Sequence, residues 1–358
     1  MKRIMINEIC KVYDGPHATP NKTEYGPIYL GIDAITEDGM LDATQFAHLS
    51  EEDYIKWTKR VIPQENDIVF SYEATLGRYT MIPKGFHGCL GRRLAIIRNV
   101  SNKINTRWLY YYFRSPEWTS FIRNQTVKGS TVDRISVEDF PKYTVPLIPI
   151  GKQNRIVDVL DKIDRRIANN KKINDYLCSQ IQLLFSYLFN LSSIPKSWTK
   201  GVLTDIANIT MGQSPSGDSY NILGNGYPFY QGSTDFGAIF PTIRVYTNKP
   251  SRFASVFDTL LSVRAPVGSL NIAYENCCIG RGLASVHGKY NNNTFVRYLL
   301  KNNRWYFDNI NNSGTTFGSI TKNYLFDMPI VIPSSKLVAT FEQKANLMEQ
   351  QIYKNEQQ

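Results

Sequence analysis

Residues 152–189 run without Pro or Gly, and their apolar positions follow the alternating four-and-three step of a heptad. The seam reads Ile156, Leu160, Ile163, Ile167, Asn170, Asn174, Leu177, Ile181, Leu184 and Leu188. At ~1.5 Å per residue this predicts one helix of roughly 57 Å, far longer than a globular helix. Two central seam positions are Asn, which weakens apolar packing but penalises every register that leaves those amides unpaired. On either side the pattern changes to short β-branched and aromatic runs punctuated by Gly and Pro. Residues 68–72, 94–97, 143–148 and 260–263 read as strands, and residues 106–113, 116–124 and 295–302 as short helices.

The chain repeats itself. Asp67-Ile68-Val69-Phe70-Ser71 with Gly77 matches Asp258-Thr259-Leu260-Leu261-Ser262 with Gly268, and Cys89-Leu90-Gly91-Arg92-Arg93-Leu94-Ala95 matches Cys278-Ile279-Gly280-Arg281-Gly282-Leu283-Ala284. Gly129-Ser130-Thr131 with Ile135 answers Gly314-Thr315-Thr316 with Ile320. The same spacing carries Ile156, Leu160, Ile163, Ile167 and Asn170 onto Phe341, Ala345, Met348, Ile352 and Asn355. The expected order is a globular unit over 1–150, a long helix over 151–195, a second unit over 196–333 and a C-terminal helix over 334–358. The expected class is α+β: two tandem strand-rich α/β domains joined by two long helices that form an antiparallel coiled coil. Continued to Phe189, the repeat leaves the second helix 16 residues short of the first. Residues 174–188 are therefore expected to lack an opposing helix and to be free to bind another chain.

Composition narrows the function. With 358 residues and a net charge of +10, the chain has room for two cores and favours an anionic partner. The surplus is +2, +3, +5 and 0 over the four expected segments, so no basic tail accounts for it. Five scattered cysteines without a Cys-x-x-Cys pair form no disulfide framework, and four distant histidines show no metal-ligand spacing. No metal site is expected. The N-terminus has no signal-peptide core and no apolar run approaches bilayer length, so a cytoplasmic setting without membrane contact is expected. No dinucleotide fingerprint, phosphate loop or Asn/Asp-Pro-Pro-Tyr/Phe block is present, and no catalytic residue can be assembled.

Several blocks are familiar in combination. They are Ile206-Ala207-Asn208-Ile209-Thr210-Met211-Gly212-Gln213-Ser214-Pro215, Pro228-Phe229-Tyr230-Gln231-Gly232, Leu261-Ser262-Val263-Arg264-Ala265-Pro266-Val267-Gly268 and Gly314-Thr315-Thr316, with Pro149 followed by Gln153, Arg155, Ile156 and Val157. Together they resemble the DNA-specificity (S) subunit of type I restriction-modification systems, over nearly the whole chain. The resemblance implies two target recognition domains, each reading half of a split double-stranded DNA site, with two long helices packed antiparallel between them. It implies two methyltransferase (modification) subunits, which bind S-adenosylmethionine, and restriction/translocase subunits, which use ATP and Mg. No cofactor is implied for this chain itself. The first unit departs from the pattern, with Tyr72-Glu73-Ala74-Thr75-Leu76-Gly77 in place of Val263-Arg264-Ala265-Pro266-Val267-Gly268.

DNA contact divides into phosphate bonds that position and base-edge bonds that specify. Arg92, Arg93 and Arg281 follow a Gly in both halves, on turns that carry a cation to a phosphate or a guanine edge, or equally to a carboxylate. Lys128, Ser130, Thr131, Thr315 and Thr316 lie in tight turns suited to phosphate oxygens, which plain β-turns also use. Tyr230, Gln231 and Ser233 form the favoured base-reading segment, Gln231 matching an adenine edge. Arg78, Arg134, Arg264 and Lys322 are further candidates. The aromatic cluster Trp108, Tyr110, Tyr111, Tyr112 and Phe113 reads as core. Scaffold identity with divergent candidate positions predicts an asymmetric split target. Two rivals remain open: a chain with its own modification or nuclease activity, and a coiled-coil protein with two non-DNA binding heads. Self-association through the long helix is compatible with any of these.

Overall fold

The computed structural model describes residues 2–126, 133–190, 194–311 and 318–358, excepting the side chains of 309–311. The chain divides into two compact units, Met1–Arg165 and Arg166–Gln358.

The first unit is built on Ile68–Ser71, four residues that are all buried. A continuous apolar run suits a strand covered on both faces, with successive side chains entering different cores. Ile68 and Phe70 join one core with Ala95, Ile97 and Tyr79, while Val69 joins another with Leu94, Ile96 and Leu30. The strand sits inside an antiparallel sheet ordered Cys10–Asp14, Leu94–Asn99, Ile68–Ser71, Tyr79–Met81. A second sheet places Thr23–Leu30 between Ala47–His48 and Gly88–Leu90, the last pair parallel. A ribbon of Arg3–Met5 with Thr144–Pro146 ties the ends of the unit together. Helix Thr106–Phe113 starts at Asn105, whose Oδ1 accepts from the amides of Arg107 (2.8 Å) and Trp108 (3.2 Å). Trp108, Tyr110, Tyr112 and Phe113 are buried, and the Phe113 and Trp118 rings lie 4.7 Å apart.

The second unit repeats the main sheet and the ribbon strand for strand, and its second sheet has five strands among the described residues where the first unit has three. Its main sheet is ordered Ala207–Met211, Leu283–Gly288, Thr259–Ser262, Leu270–Ile272. Its second sheet again has a central parallel pair, Tyr227–Tyr230 with Cys277–Ile279, and its ribbon is Thr199–Val202 with Pro329–Ile332. Thr259–Ser262 is fully buried, with Leu260 in one core and Leu261 in the other. One buried carboxylate recurs before each central strand. Asp67 takes two bonds from Arg98 (2.8 and 2.7 Å), and Asp258 takes bonds from Ser285 Oγ and His287 Nδ1 (both 2.6 Å).

The long helix is Ile150–Leu188 and the C-terminal helix Ser335–Glu356. Within the second unit they run antiparallel. Arg166 bonds Gln358 (2.6 Å) near one end, and Phe185 and Phe189 both lie 5.5 Å from Phe341 at the other. Between them, Asn170 Nδ2 donates to Asn355 O (3.2 Å), Asn355 Nδ2 to Asn174 Oδ1 (2.8 Å) and Asn174 Nδ2 to Glu356 Oε1 (2.8 Å). Ile181, Phe341, Ala345 and Ile352 are buried, and Leu177 and Met348 partly so. The expectation that residues 174–188 lack an opposing helix is therefore corrected. A repeat fixes which positions are equivalent, but in an antiparallel pair contacts follow a constant sum of residue numbers, so the C-terminal helix covers this stretch. Earlier in the long helix, Gln153 and Val157 are buried and Ile156 and Leu160 partly buried. Ile163 and Ile167 are 49% and 45% exposed, so the heptad seam does not bury them.

Each unit is tied to its stretch of helix by carboxylates. In the first, Asp161 Oδ1 accepts from Arg107 Nε and Tyr111 Oη (both 2.7 Å), and Tyr111 also donates to Asp164 (2.7 Å). In the second, Glu349 pairs with Arg297 and accepts from Thr294 Oγ1 (3.0 Å), all three residues being buried. Two turns away, Glu342 accepts from the amides of Thr294 (3.1 Å) and Phe295 (2.8 Å) at the start of helix Asn293–Asn302. Burial opposes ionisation of Asp161, but the Tyr111 and Arg107 bonds outweigh it and hold the carboxyl below its ordinary range. At Glu342 burial dominates and pushes the carboxyl up.

Two outcomes follow from these ties. Glu349→Ala strands a buried guanidinium and should cost the second unit about 3–5 kcal/mol in urea unfolding, while Arg297→Met with Glu349→Leu should cost much less; equal losses would contradict this. Because the folded Glu342 pKa is raised, its contribution to stability is complete below the ordinary value of 4.5 and is lost as pH rises through the folded value. Glu342→Gln should therefore lose less second-unit stability than the parent between pH 4.5 and neutrality, measured by unfolding at both pH values.

Candidate nucleic-acid interface

Three loops meet at the end of the central strand in each unit. In the first, the Tyr72 amide donates to Arg93 O (3.1 Å) and the Ile135 amide to Tyr72 O (2.8 Å). In the second, the Val263 amide donates to Gly282 O (2.9 Å) and the Ile320 amide to Val263 O (2.8 Å). A serine at the strand end closes the first loop in both. Ser71 Oγ donates to Thr75 O and accepts from Arg78 N (3.1 Å), as Ser262 Oγ donates to Pro266 O (2.6 Å) and accepts from Ser269 N (2.9 Å). The fold thus offers one loop-bearing edge twice, the usual place for contact residues on a rigid scaffold.

Arg92 and Arg281 occupy equivalent exposed positions there. Their amides are anchored, Arg92 N to Tyr29 Oη (3.1 Å) and Arg281 N to Ser214 Oγ (3.3 Å), and neither side chain has a bonding partner among the described residues. Arg264 is exposed and bridges Ser319 through its backbone; the equivalent bridge in the first unit joins Glu73 to Arg134, which is also exposed. At this place the first unit thus carries an acid and a base, and the second a lone arginine beside a serine. Lys322 is exposed with Nζ 5.1 Å from the Phe326 ring. Lys128, Ser130, Thr131, Thr315 and Thr316 lie outside the described residues.

Other expected contact residues are engaged internally. Arg93 pairs with Glu73 (2.9 Å), and Arg78 donates to the carbonyls of Ile35 (2.7 Å) and Ile32 (3.3 Å), holding a turn. The Gln231 amide is bonded to Ser214 Oγ (3.0 Å), and Ser233 is half-buried at the start of the short turn Ser233–Asp235. Tyr230 is only 1% exposed and packs with Ala254, Leu260 and Ile279, so it is core rather than a base reader. It ends a strand paired on both edges, where Gln231 is the first residue to leave the sheet. The cationic run Lys56, Lys59 and Arg60 around Trp57 is not among the expected contact residues; its density of charge is the signal the sequence carries for it. Among the described residues no group of His, Cys, Asp and Glu could hold a metal, and no helix is long and apolar enough to cross a membrane.

Two heads of one plan, each tied by carboxylates to a helix and each presenting a loop-bearing edge, define a tandem-domain recognition protein. The chain belongs to the type I restriction-modification DNA specificity subunits. Residues 1–177 match the family model for the type I restriction modification DNA specificity domain. Over 352 residues the chain is 30% identical to the putative type I restriction enzyme MjaX specificity subunit of Methanocaldococcus jannaschii, covering 90% of this chain and 80% of that one. A putative type I restriction enzyme specificity subunit of Haemophilus influenzae is 25% identical over 120 residues, 33% of this chain and 29% of the other. The crystal structure of the type I restriction-modification system S subunit from M. genitalium covers 99% of this chain and 91% of its own, with a TM-score of 0.56 and 15% identity, a likeness of fold.

The buried Tyr230 Oη has no hydrogen-bond partner among the described residues. Tyr230→Phe should be neutral or stabilise the second unit by up to about 1 kcal/mol in urea unfolding, and should leave nucleic-acid affinity unchanged. A loss of affinity in a folded variant would return Tyr230 to the interface.

Proposed function

We propose that the chain is the non-catalytic recognition subunit of a type I restriction-modification complex in the cytoplasm, each unit reading one half of an asymmetric bipartite site on double-stranded DNA. The observation that carries this reading is the repeat itself. Two units whose main sheets share strand order and register differ at their loop edges, where Glu73 takes the place of Arg264 and Arg134 that of Ser319. Shared scaffold with divergent edge is what two different half-sites require, and family membership supplies the ligand class. The net charge of +10 supports a polyanionic partner.

In this reading two modification subunits dock on the long helices and contribute S-adenosylmethionine, and restriction/translocase subunits contribute ATP and Mg. Exposed apolar side chains on the long helix, Val159 and Ile163 in its first part and Ile173 and Leu183 in its second, support docking by another chain. A second copy of this chain would compete for the same positions.

The helices also act as a ruler. Adding four residues to each, with the antiparallel partners kept aligned, should lengthen the rod by about 6 Å, or roughly two base pairs at ~3.4 Å each. Sequencing of methylated DNA from cells carrying that variant with its modification subunit is expected to show the same half-sites with a longer gap. An unchanged gap would remove the ruler and leave the two-half-site reading standing.

A further inference from the structure

Strand registers align the two units residue by residue, and one corner differs between them. Cys10–Asp14 lies along Leu94–Asn99 as Ala207–Met211 lies along Leu283–Gly288, making Gly15 the counterpart of Gly212 and His17 that of Ser214. Tyr29 faces Cys89 as Phe229 faces Cys278, making Gly31 the counterpart of Gln231. The corner is built alike up to this point. A Cβ on Gly15 would strike Leu94 O, and one on Gly212 would strike the equivalent Leu283 O, so only Gly lets the strand leave the sheet there.

Beyond that shared turn the units part. In the second, Ser214 and Gln231 bond to each other and close the corner, and Ser214 also receives the Arg281 amide (3.3 Å). In the first, Gly31 has no side chain, and a Cβ placed on it would meet nothing within 4 Å. His17 turns instead to Asp14, with Nε2 2.9 Å from Oδ2, and its side chain is 65% exposed. A cleft of about 490 Å³ lies on the Gly15–His17 side of this corner, lined among others by Asp14, His17, Lys56, Trp57, Lys59 and Arg60. The cations have different duties. Lys56 is held by Glu52 (2.8 Å), and Arg60 leans on Gly15 O (3.4 Å) and stands 4.0 Å from Asp14. Lys59 is exposed and makes no bond among the described residues. Trp57 Nε1 donates to Ala18 O (3.4 Å), tying the cationic run to the loop that carries His17.

We propose that this cleft is the first unit's nucleic-acid subsite, with Lys59 and Arg60 holding backbone phosphate, Trp57 forming an apolar wall, and the Asp14–His17 pair bonding the edge of a base. The proposal rests on the DNA-specificity reading above and names where the first unit grips its half-site. An acidic carboxylate is the acceptor that pairs with a cytosine or adenine amino group, and a cation beside it matches the adjoining phosphate. The second unit carries Met211 in place of Asp14 and Ser214 in place of His17, so the same corner offers a base edge different groups there, which makes the two contacts unlike.

The test uses the full chain at low salt with a labelled mixed-sequence duplex of about 30 base pairs, read by fluorescence anisotropy over a salt series. Lys59→Glu with Arg60→Glu should weaken binding by roughly tenfold or more and reduce the slope of log affinity against log salt by about two. Lys59→Ala, which removes no contact from the folded chain, should reduce that slope by about one and weaken binding to match. Lys84→Glu, an exposed site of the same unit outside the cleft, should keep the parent slope. Parent-like affinity and slope in both cleft variants would overturn the subsite while duplex binding by the parent stands. A parent without salt-dependent duplex binding would overturn the reading beneath it as well. Displacement of the duplex by polyglutamate at equal charge concentration would also count against the subsite, marking an acidic-peptide cleft instead.

Discussion

The second unit depends on a pair of carboxylates one heptad apart on the inner face of a helix, among the apolar Val338, Phe341, Ala345 and Ile352. Glu342 and Glu349 are both buried, and a buried carboxylate is tolerable only where donors meet it. The donors come from one place, the start of helix Asn293–Asn302: two backbone amides, the Thr294 hydroxyl and the Arg297 guanidinium. Sliding the C-terminal helix by a turn, or rotating it by one position, would strand those charges. Apolar packing alone would be far more forgiving, because Phe341, Ala345 and Ile352 could be re-accommodated by neighbours of similar size. The charges therefore set where the head sits on its helix, and the apolar contacts supply most of the cohesion.

The same logic fixes one helix against the other. Asn170, Asn174 and Asn355 bond mutually across the antiparallel pair, so the register that satisfies them is the one that also seats Phe341 between Phe185 and Phe189. The first unit uses a lighter version of the device. Asp161 is partly exposed and is served by one arginine and one tyrosine, and its carboxyl is held low rather than pushed up. The two heads are thus fastened with opposite dependence on protonation, one strengthened and one weakened as a carboxyl gains its proton.

Much of the fold was legible in the pattern of residues, and the reasons are local. The heptad step, the lack of Pro and Gly, and the matched blocks around Asp67 and Asp258 are all short-range signals. What failed was the step from equivalence to contact. Repeat offsets told which residues correspond, yet the partner of residues 174–188 depends on helix direction, which no offset records. The candidate site was less legible for a related reason. Tyr230 looked like a reader because it stands beside Gln231, but the parallel pairing with Cys277–Ile279 buries it, and parallel partners are joined by long crossovers that leave no local trace. Its counterpart Leu30 is apolar, which was a usable hint. Likewise Arg78 and Arg93 looked free until Ile35 O and Glu73 were brought to them from elsewhere in the chain.

The corner at Gly15 and Gly212 shows how one scaffold accommodates two recognitions. The glycine is obligatory in both units, because a carbonyl occupies the space a side chain would need. The residues just past it carry no such constraint: they stand at the sheet's end, where Gly31 or Gln231 and His17 or Ser214 are equally compatible with the strands behind them. Freedom at that point lets one unit bond an amide to a hydroxyl, and lets the other pair His17 with Asp14 beside Lys59 and Arg60. A carbonyl-packed turn followed by unconstrained positions is therefore the arrangement expected where sequence must change without the fold changing. The cleft stands at such a place, and in the second unit the positions of Asp14 and His17 are taken by Met211 and Ser214.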